Sequence, residues 1–185
     1  MDLGLKDKVA LVTGTGSQIG YGRGIAMTLA GEGCDIVSAD IDLDGAEKTA
    51  KEVEGLGCTA LACKVDVADR AEVDGMVKSA IEKFGRIDIL VNNAGTSSLL
   101  KPFIEMTRED WDIDIGVNLY GQMNVAQAVL PHMISRKYGR IINFSGGRGI
   151  PNISIYGAAK AGVMAFTEAL AREVAPHGII VNGIG

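Results

Sequence analysis

Val9-Ala10-Leu11-Val12 runs into Thr13-Gly14-Thr15-Gly16-Ser17-Gln18-Ile19-Gly20-Tyr21-Gly22, and this junction decides the fold. The four apolar residues read as a buried strand, and Gly14 onward reads as a loop. A helix follows over residues 22–31. Outward from this junction the same alternation repeats. Further strands read at Asp35-Ile36-Val37-Ser38-Ala39, over 60–65, at Ile87-Asp88-Ile89-Leu90-Val91 ending at Asn92, at Arg140-Ile141-Ile142-Asn143-Phe144, and at Ile179-Ile180-Val181-Asn182. Helices over 43–55, 69–84, 108–137 (broken near Gly116) and 156–175 separate them. Several strands are apolar on both parities, as strands buried on both faces are. Six strand–helix alternations predict an α/β fold: a Rossmann-like, doubly wound parallel sheet with helices on both faces. No linker, repeat or low-complexity stretch divides residues 1–185, so one domain is expected. The sequence stops at Gly185, directly after the sixth strand. An edge strand with uncovered apolar residues there predicts that a C-terminal part of the fold is missing.

Composition narrows the function classes. Hydrophobic residues make up 47 % of 185 and the net charge is −5. That apolar content excludes a disordered chain. The charge argues against nucleic acid as a partner, because phosphate binding needs a basic face. No apolar run reaches the roughly 18 residues that span a bilayer, and Met1–Lys6 lacks a signal peptide's apolar stretch. No membrane association and a cytoplasmic location are the default. Three cysteines, Cys34, Cys58 and Cys63, without a CxxC, argue against a disulfide framework or zinc site. His132 and His177 lack a nearby ligand cluster, so no metal is expected.

The loop after the first strand opens a helix. Glycines allow close approach of a ligand, and a helix N-terminus offers free N–H groups and partial positive charge, which suit a pyrophosphate. Gly14 and Gly20 are candidates for that contact. Asp40 ends the second strand, twenty residues after Gly20, with Ile41 beside it. A carboxylate there can accept hydrogen bonds from the adenosine ribose of NAD and would repel the 2′-phosphate of NADP. Against this, Asp40 can be a solvated turn acid beside Asp42 and Asp44, and Arg23 can receive a phosphate. Asp66-Val67 reads either as an adenine contact or as part of a helix N-cap, which Asp69 can also supply. Asn92-Asn93-Ala94-Gly95 ends the fourth strand. Its small residues, Ala94 and Gly95, leave room for a cofactor, while Asn92 can bind it or simply tie strands together.

Tyr156-Gly157-Ala158-Ala159-Lys160 places a phenol and an ammonium one helical turn apart on one face. A nearby cation lowers a phenol's pKa, so the pair can serve as general base for alcohol oxidation and general acid for ketone reduction.

These motifs, in this order, together with Asn118 and a serine after the fifth strand, resemble the short-chain dehydrogenase/reductase family, single-domain branch. The resemblance runs from about Lys8 to Gly185. It is similar to 3-oxoacyl carrier-protein reductases and to hydroxyacyl-CoA dehydrogenases alike. It implies an NAD-dependent oxidoreductase interconverting a secondary alcohol and a ketone. Tyr156 would be the acid/base and Lys160 would bind the nicotinamide ribose. Asn118 would hold a water that relays protons, and Ser145 would hydrogen-bond the substrate oxygen. The implied substrate is a small-molecule alcohol or ketone, an acyl thioester among the candidates, and the implied assembly a homodimer or homotetramer. The alternative is a catalytically silent NAD-binding sensor or scaffold of the same fold, which would be expected to lose Tyr156 or Lys160. An enoyl reductase would space the pair further apart.

Three departures from the family's pattern stand out. Gln18 falls where the middle glycine of TGxxxGxG belongs and the loop is about two residues longer, which puts Ser17, Gln18 and Ile19 near the cofactor. Thirteen residues before Tyr156, where the family's serine stands, is Asn143. Alignment on the strand puts Gly146 there instead, so Ser145 is the choice and Ser154 the fallback. The family's Pro-Gly, substrate segment, helix and seventh strand are absent. Leu99, Leu100, Pro102, Phe103 and residues 150–155 either line an apolar wall or pack as ordinary loop. Met123, Val125, Ala126, Val129 and Met133 are either a partner-facing stripe or core.

Overall fold

The computed structural model describes residues 3–97, 100–147 and 149–185. The strands are β1 (Val9–Thr13), β2 (Asp35–Asp40), β3 (Ala60–Lys64), β4 (Ile89–Asn92), β5 (Gly139–Phe144) and β6 (Ile179–Ile184). The helices are α1 (Tyr21–Gly31), α2 (Leu43–Gly55), α3 (Arg70–Phe84), α4 (Arg108–Ile115), α5 (Gly121–Arg136) and α6 (Ser154–Val174). All strand pairs are parallel, in the order β3-β2-β1-β4-β5-β6. The fold is therefore the expected doubly wound, Rossmann-like sheet.

Alternation along the strands explains why both faces are covered. Val9 and Leu11 of β1 face a core built with Val73, Met76, Val125, Val129, Met133 and Leu170, from α3, α5 and α6. Ala10 and Val12 face the opposite core, with Ala26, Ala30, Ala50 and Val53 from α1 and α2. Every residue of β1 is buried, which accounts for its unbroken apolar run. Four residues read as a possible partner stripe, Val125, Ala126, Val129 and Met133, have no exposed surface and are core. On β6, Ile180 and Ile184 stay about half exposed. Among the described residues no helix is long and apolar enough to cross a membrane.

Strand order positions the site. β1 pairs with β2 on one side and β4 on the other. The chain winds outward from β1 in both directions, so the loops after β1 and β4 diverge and open a crevice at the strand tips. The expected break near Gly116 is a single π-helical turn, Gly116–Tyr120, between α4 and α5. Such turns insert a residue into a helix and re-aim its side chains.

Candidate active site

The crevice has two compartments that meet at Gly95 and Thr96. The first is lined by Gly14, Ala39, Asp40, Ile41, Val65, Asp66, Val67, Ala94 and Val117. Tyr21, Ile25, Asn93, Ser97, Gly146, Gly147, Tyr156 and Lys160 line the second.

Short side chains build the first compartment. Gly14 has φ +76°, a conformation that favours glycine. Gly22, in the first turn of α1, packs so closely that a Cβ there would collide with the Gly14 carbonyl. Thr13 Oγ1 accepts from Asn93 N (3.1 Å) and Ala94 N (3.0 Å). Asn93 Nδ2 donates back to Thr13 O (2.9 Å) and Gly14 O (3.1 Å). These bonds clamp the β4 tip to the glycine loop. Asn93 escaped sequence reading because Asn92 stood beside it on the strand end. The pleat decides between the two: Asn92 is buried, and its Nδ2 donates to Asn143 Oδ1 (2.9 Å) and Gln122 O (3.2 Å). Asn92 therefore ties β4 to β5 and α5 and does not line the crevice, the structural alternative of its two readings.

Asp40 lines the first compartment beside Ile41. Its carboxylate accepts from Gly16 N (2.7 Å) and Asp42 N (2.9 Å). Arg23, the competing phosphate ligand, is 2.6 Å from Glu52. The α3 N-cap is Asp69, which accepts from Ala71 N and Glu72 N. Asp66 is left free of that duty and, with Val67, borders the crevice.

The glycine loop departs from expectation. Gln18 Nε2 donates to Gly16 O (2.9 Å) and Gly45 O (3.1 Å), tying the loop to α2. Ser17, Gln18 and Ile19 are exposed and line neither compartment. Ile19 and Gly20 instead border a separate shallow groove along α1 with Tyr21, Ile25 and Leu29. Gln18 thus turns back onto its own loop at Gly16 O and across to α2 at Gly45 O.

The second compartment gathers the polar groups. Lys160, one turn after Tyr156 on α6, is 3 % exposed. Its Nζ donates to Phe144 O (2.9 Å) and lies 5.4 Å from the centre of the Tyr156 ring. Asn118, in the π turn, is fully buried and donates from Nδ2 to Thr96 O (2.6 Å) and Asp114 O (2.9 Å). Its Oδ1 has no partner among the described residues. A Cβ on Gly95 would come within 2.9 Å of that oxygen and 3.5 Å of Lys160 Nζ. Asn118, Lys160 and the Gly95 backbone thus converge on one point.

Electrostatics at this point run against the expected acidification. Burial, with the Asp114 carboxylate adding to it, raises the Tyr156 phenol above its ordinary value. Burial also drives the Lys160 ammonium down to about 8. Desolvation is the largest cause of both shifts, and spacing alone does not reveal it. Asp114 is 1 % exposed and the one buried residue of α4. Sequence reading missed it; the available signal was an acid four residues before Asn118, on the same helical face.

Ser145 is turned out of the cleft. It is 4 % exposed, its Oγ donates to Ile184 O (3.2 Å), and it lines neither compartment. Its N–H donates to Ile184 O as well, which extends the β5–β6 ladder. Gly146 and Gly147 line the cleft instead. Ser154, the fallback, is exposed at the start of α6. Leu100, Phe103 and Ile150 are exposed; Leu99 lies outside the described residues.

Residues 8–185 match the sequence model of the short chain dehydrogenase family. This chain belongs to that family. It is 42 % identical over 185 residues to BbsD of Thauera aromatica, a hydroxy(phenyl)methylsuccinyl-CoA dehydrogenase subunit; the alignment covers 97 % of this chain and 72 % of that one. It is 40 % identical to the 3-oxoacyl-acyl-carrier-protein reductase FabG of Thermotoga maritima, over 97 % of this chain and 73 % of that one. The crystal structure of an NAD+-bound xylitol dehydrogenase superposes with a TM-score of 0.92 at 36 % identity, covering 98 % of this chain and 70 % of the other. The chain is a short-chain dehydrogenase acting on CH–OH groups, with alcohol- and ketone-type substrates and an NAD(P) cofactor.

Proposed function

We propose that this short-chain dehydrogenase interconverts a secondary alcohol and a ketone with NAD, and that Tyr156 is the acid/base. The observation that carries the reading is the run of the crevice. The compartment of Gly14 and Asp40 meets the compartment of Tyr156 and Lys160 at Gly95 and Thr96.

The lining residues fit a dinucleotide. Gly14 and Gly22 form a close-packed glycine turn that any Cβ would fill. The unpartnered Asn118 Oδ1 offers a buried acceptor near Lys160 Nζ. Asp40, Ile41, Asp66 and Val67 would hold the adenosine end, Gly14, Ala94 and Gly95 the middle, and Tyr156 and Lys160 the nicotinamide ribose. When bound, the cofactor supplies the hydride acceptor or donor. Asp40 without a cation partner among the described residues, and Arg23 committed to Glu52, favour NAD over NADP.

The chain's own part is positioning and proton transfer. Tyr156 takes the alcohol proton in oxidation and returns it in reduction. A phenol raised above its ordinary value is protonated at neutral pH, which suits ketone reduction. Lys160, anchored on Phe144 O, orients the phenol. The relatives act on CoA or carrier-protein thioesters, so a 3-hydroxyacyl thioester belongs in the substrate panel. A homodimer or homotetramer is part of the same reading.

The test is NADH absorbance with a panel of secondary alcohols and hydroxyacyl thioesters, in wild type and Tyr156→Phe. Turnover should appear in wild type and vanish in the variant, with NADH binding retained. Equal turnover in the variant removes Tyr156 from proton transfer. NADH binding without turnover of any compound supports the silent sensor.

A further inference from the structure

We propose that the second hydrogen bond to the substrate oxygen, beside the one from Tyr156, comes from a backbone N–H of Gly146 or Gly147, not from a serine hydroxyl. This rests on the reading of Tyr156 as the acid/base. Ser145 cannot supply the bond while its Oγ is held by Ile184 O at the β5–β6 edge. Ser145 continues the β5 ladder onto β6 through Ile184 O, and the next residue, which lines the cleft, is glycine.

The glycine pair has what a donor site needs. Neither Gly146 N nor Gly147 N donates a hydrogen bond to any described residue. Both residues line the compartment that holds Tyr156 and Lys160. Gly147 has φ +94°, and its backbone lies against the phenol. A Cβ there would come within 2.6 Å of Tyr156 Cε1 and 3.4 Å of the phenolic oxygen. A side chain at 147 would therefore displace the acid/base, while the bare backbone can approach it. An N–H group beside a proton donor, without a partner among the described residues, can stabilise negative charge developing on an oxygen, as oxyanion-hole amides do. In reduction, the carbonyl oxygen gains electron density as hydride reaches carbon, then takes the proton of Tyr156. The N–H group holds that oxygen throughout and exchanges no proton itself. Thr96 and Ser97 also border the compartment, at the β4 tip.

The experiment replaces the peptide N–H alone. Cell-free synthesis of the full-length protein with glycolate in place of Gly146 or of Gly147 turns each amide into an ester. The substrate is the panel alcohol turned over fastest by wild type. At one of the two positions kcat should fall tenfold or more, on the order of the hundredfold seen when an oxyanion donor is removed. NADH binding should persist, and Ser145→Ala should cost less than tenfold. Less than a tenfold loss at both ester positions overturns the proposal, and so does a tenfold loss in Ser145→Ala with NADH binding intact. Should the esters not fold, 15N-glycine-labelled Tyr156→Phe with NADH and the product ketone gives a second readout. The ketone should shift the amide resonance of Gly146 or Gly147, and unmoved resonances at both overturn the proposal. Failure of the dehydrogenase reading itself looks different: no wild-type turnover, or an active Tyr156→Phe.

Discussion

Replacing Lys160 by methionine should stabilise the protein while ending turnover. The ammonium is 3 % exposed, and burial holds its pKa at about 8 against an ordinary 10.5. At about 1.4 kcal/mol per pH unit, keeping it charged at pH 7 costs the folded state about 3 kcal/mol. Methionine keeps the apolar stem and removes that cost. It also removes the hydrogen bond to Phe144 O, worth about 1 kcal/mol. That carbonyl still accepts from Gln122 Nε2 at 2.9 Å, so no acceptor is orphaned. A net gain of about 2 kcal/mol at pH 7 follows. The pH dependence fixes the cause. A lysine depressed in the folded state bears its full cost below pH 8. The cost fades as pH rises from there towards 10.5, above which neither state is protonated. Urea unfolding of the cofactor-free protein should therefore show the variant clearly more stable at pH 7, with the difference below about 1 kcal/mol at pH 9.5. A variant no more stable than wild type at pH 7, or an advantage equal at both pH values, would refute the reasoning.

Three other substitutions probe the site and its support. Asp114→Asn removes the carboxylate that adds to burial in raising Tyr156, so the phenol should titrate lower than in wild type. Because oxidation needs the phenolate, its rate profile should move to lower pH; an unmoved profile denies Asp114 any charge role. Asp88→Asn breaks a fully buried carboxylate from Arg86 (2.7 Å) and Arg136 (3.0 Å). With both arginines partly exposed, about 2–3 kcal/mol of stability at pH 7 should be lost. Burial alone would raise the Asp88 carboxyl, but hydrogen bonds from Arg86, Val9 N and Arg136 outweigh it and hold it below its ordinary value. Its contribution is present above about pH 4 and lost as pH falls through the folded pKa, so the two proteins should converge in acid. Asp40→Ala should narrow the preference for NAD over NADP about tenfold, the effect of one repulsive charge at roughly 1–2 kcal/mol; unchanged selectivity by kcat/KM makes Asp40 a turn residue only.

Periodicity and composition alone determined the layered α/β sheet. Unbroken apolar runs such as Val9–Val12 have no other stable burial than between two helical layers, and glycines must stand where a strand turns into a helix. The spacing of Tyr156 and Lys160 is equally local, because one helical turn fixes it. Only tertiary structure decided which of two neighbours faces the crevice: Asn93 over Asn92, Gly146 over Ser145. A shift of one residue along a strand reverses the side a residue points to, and the register that sets it comes from pairing with distant strands. The charge balance at Tyr156 was settled there too. It depends on how deeply the phenol and Lys160 are buried and on Asp114 arriving from another helix, and desolvation is a property of the packed whole.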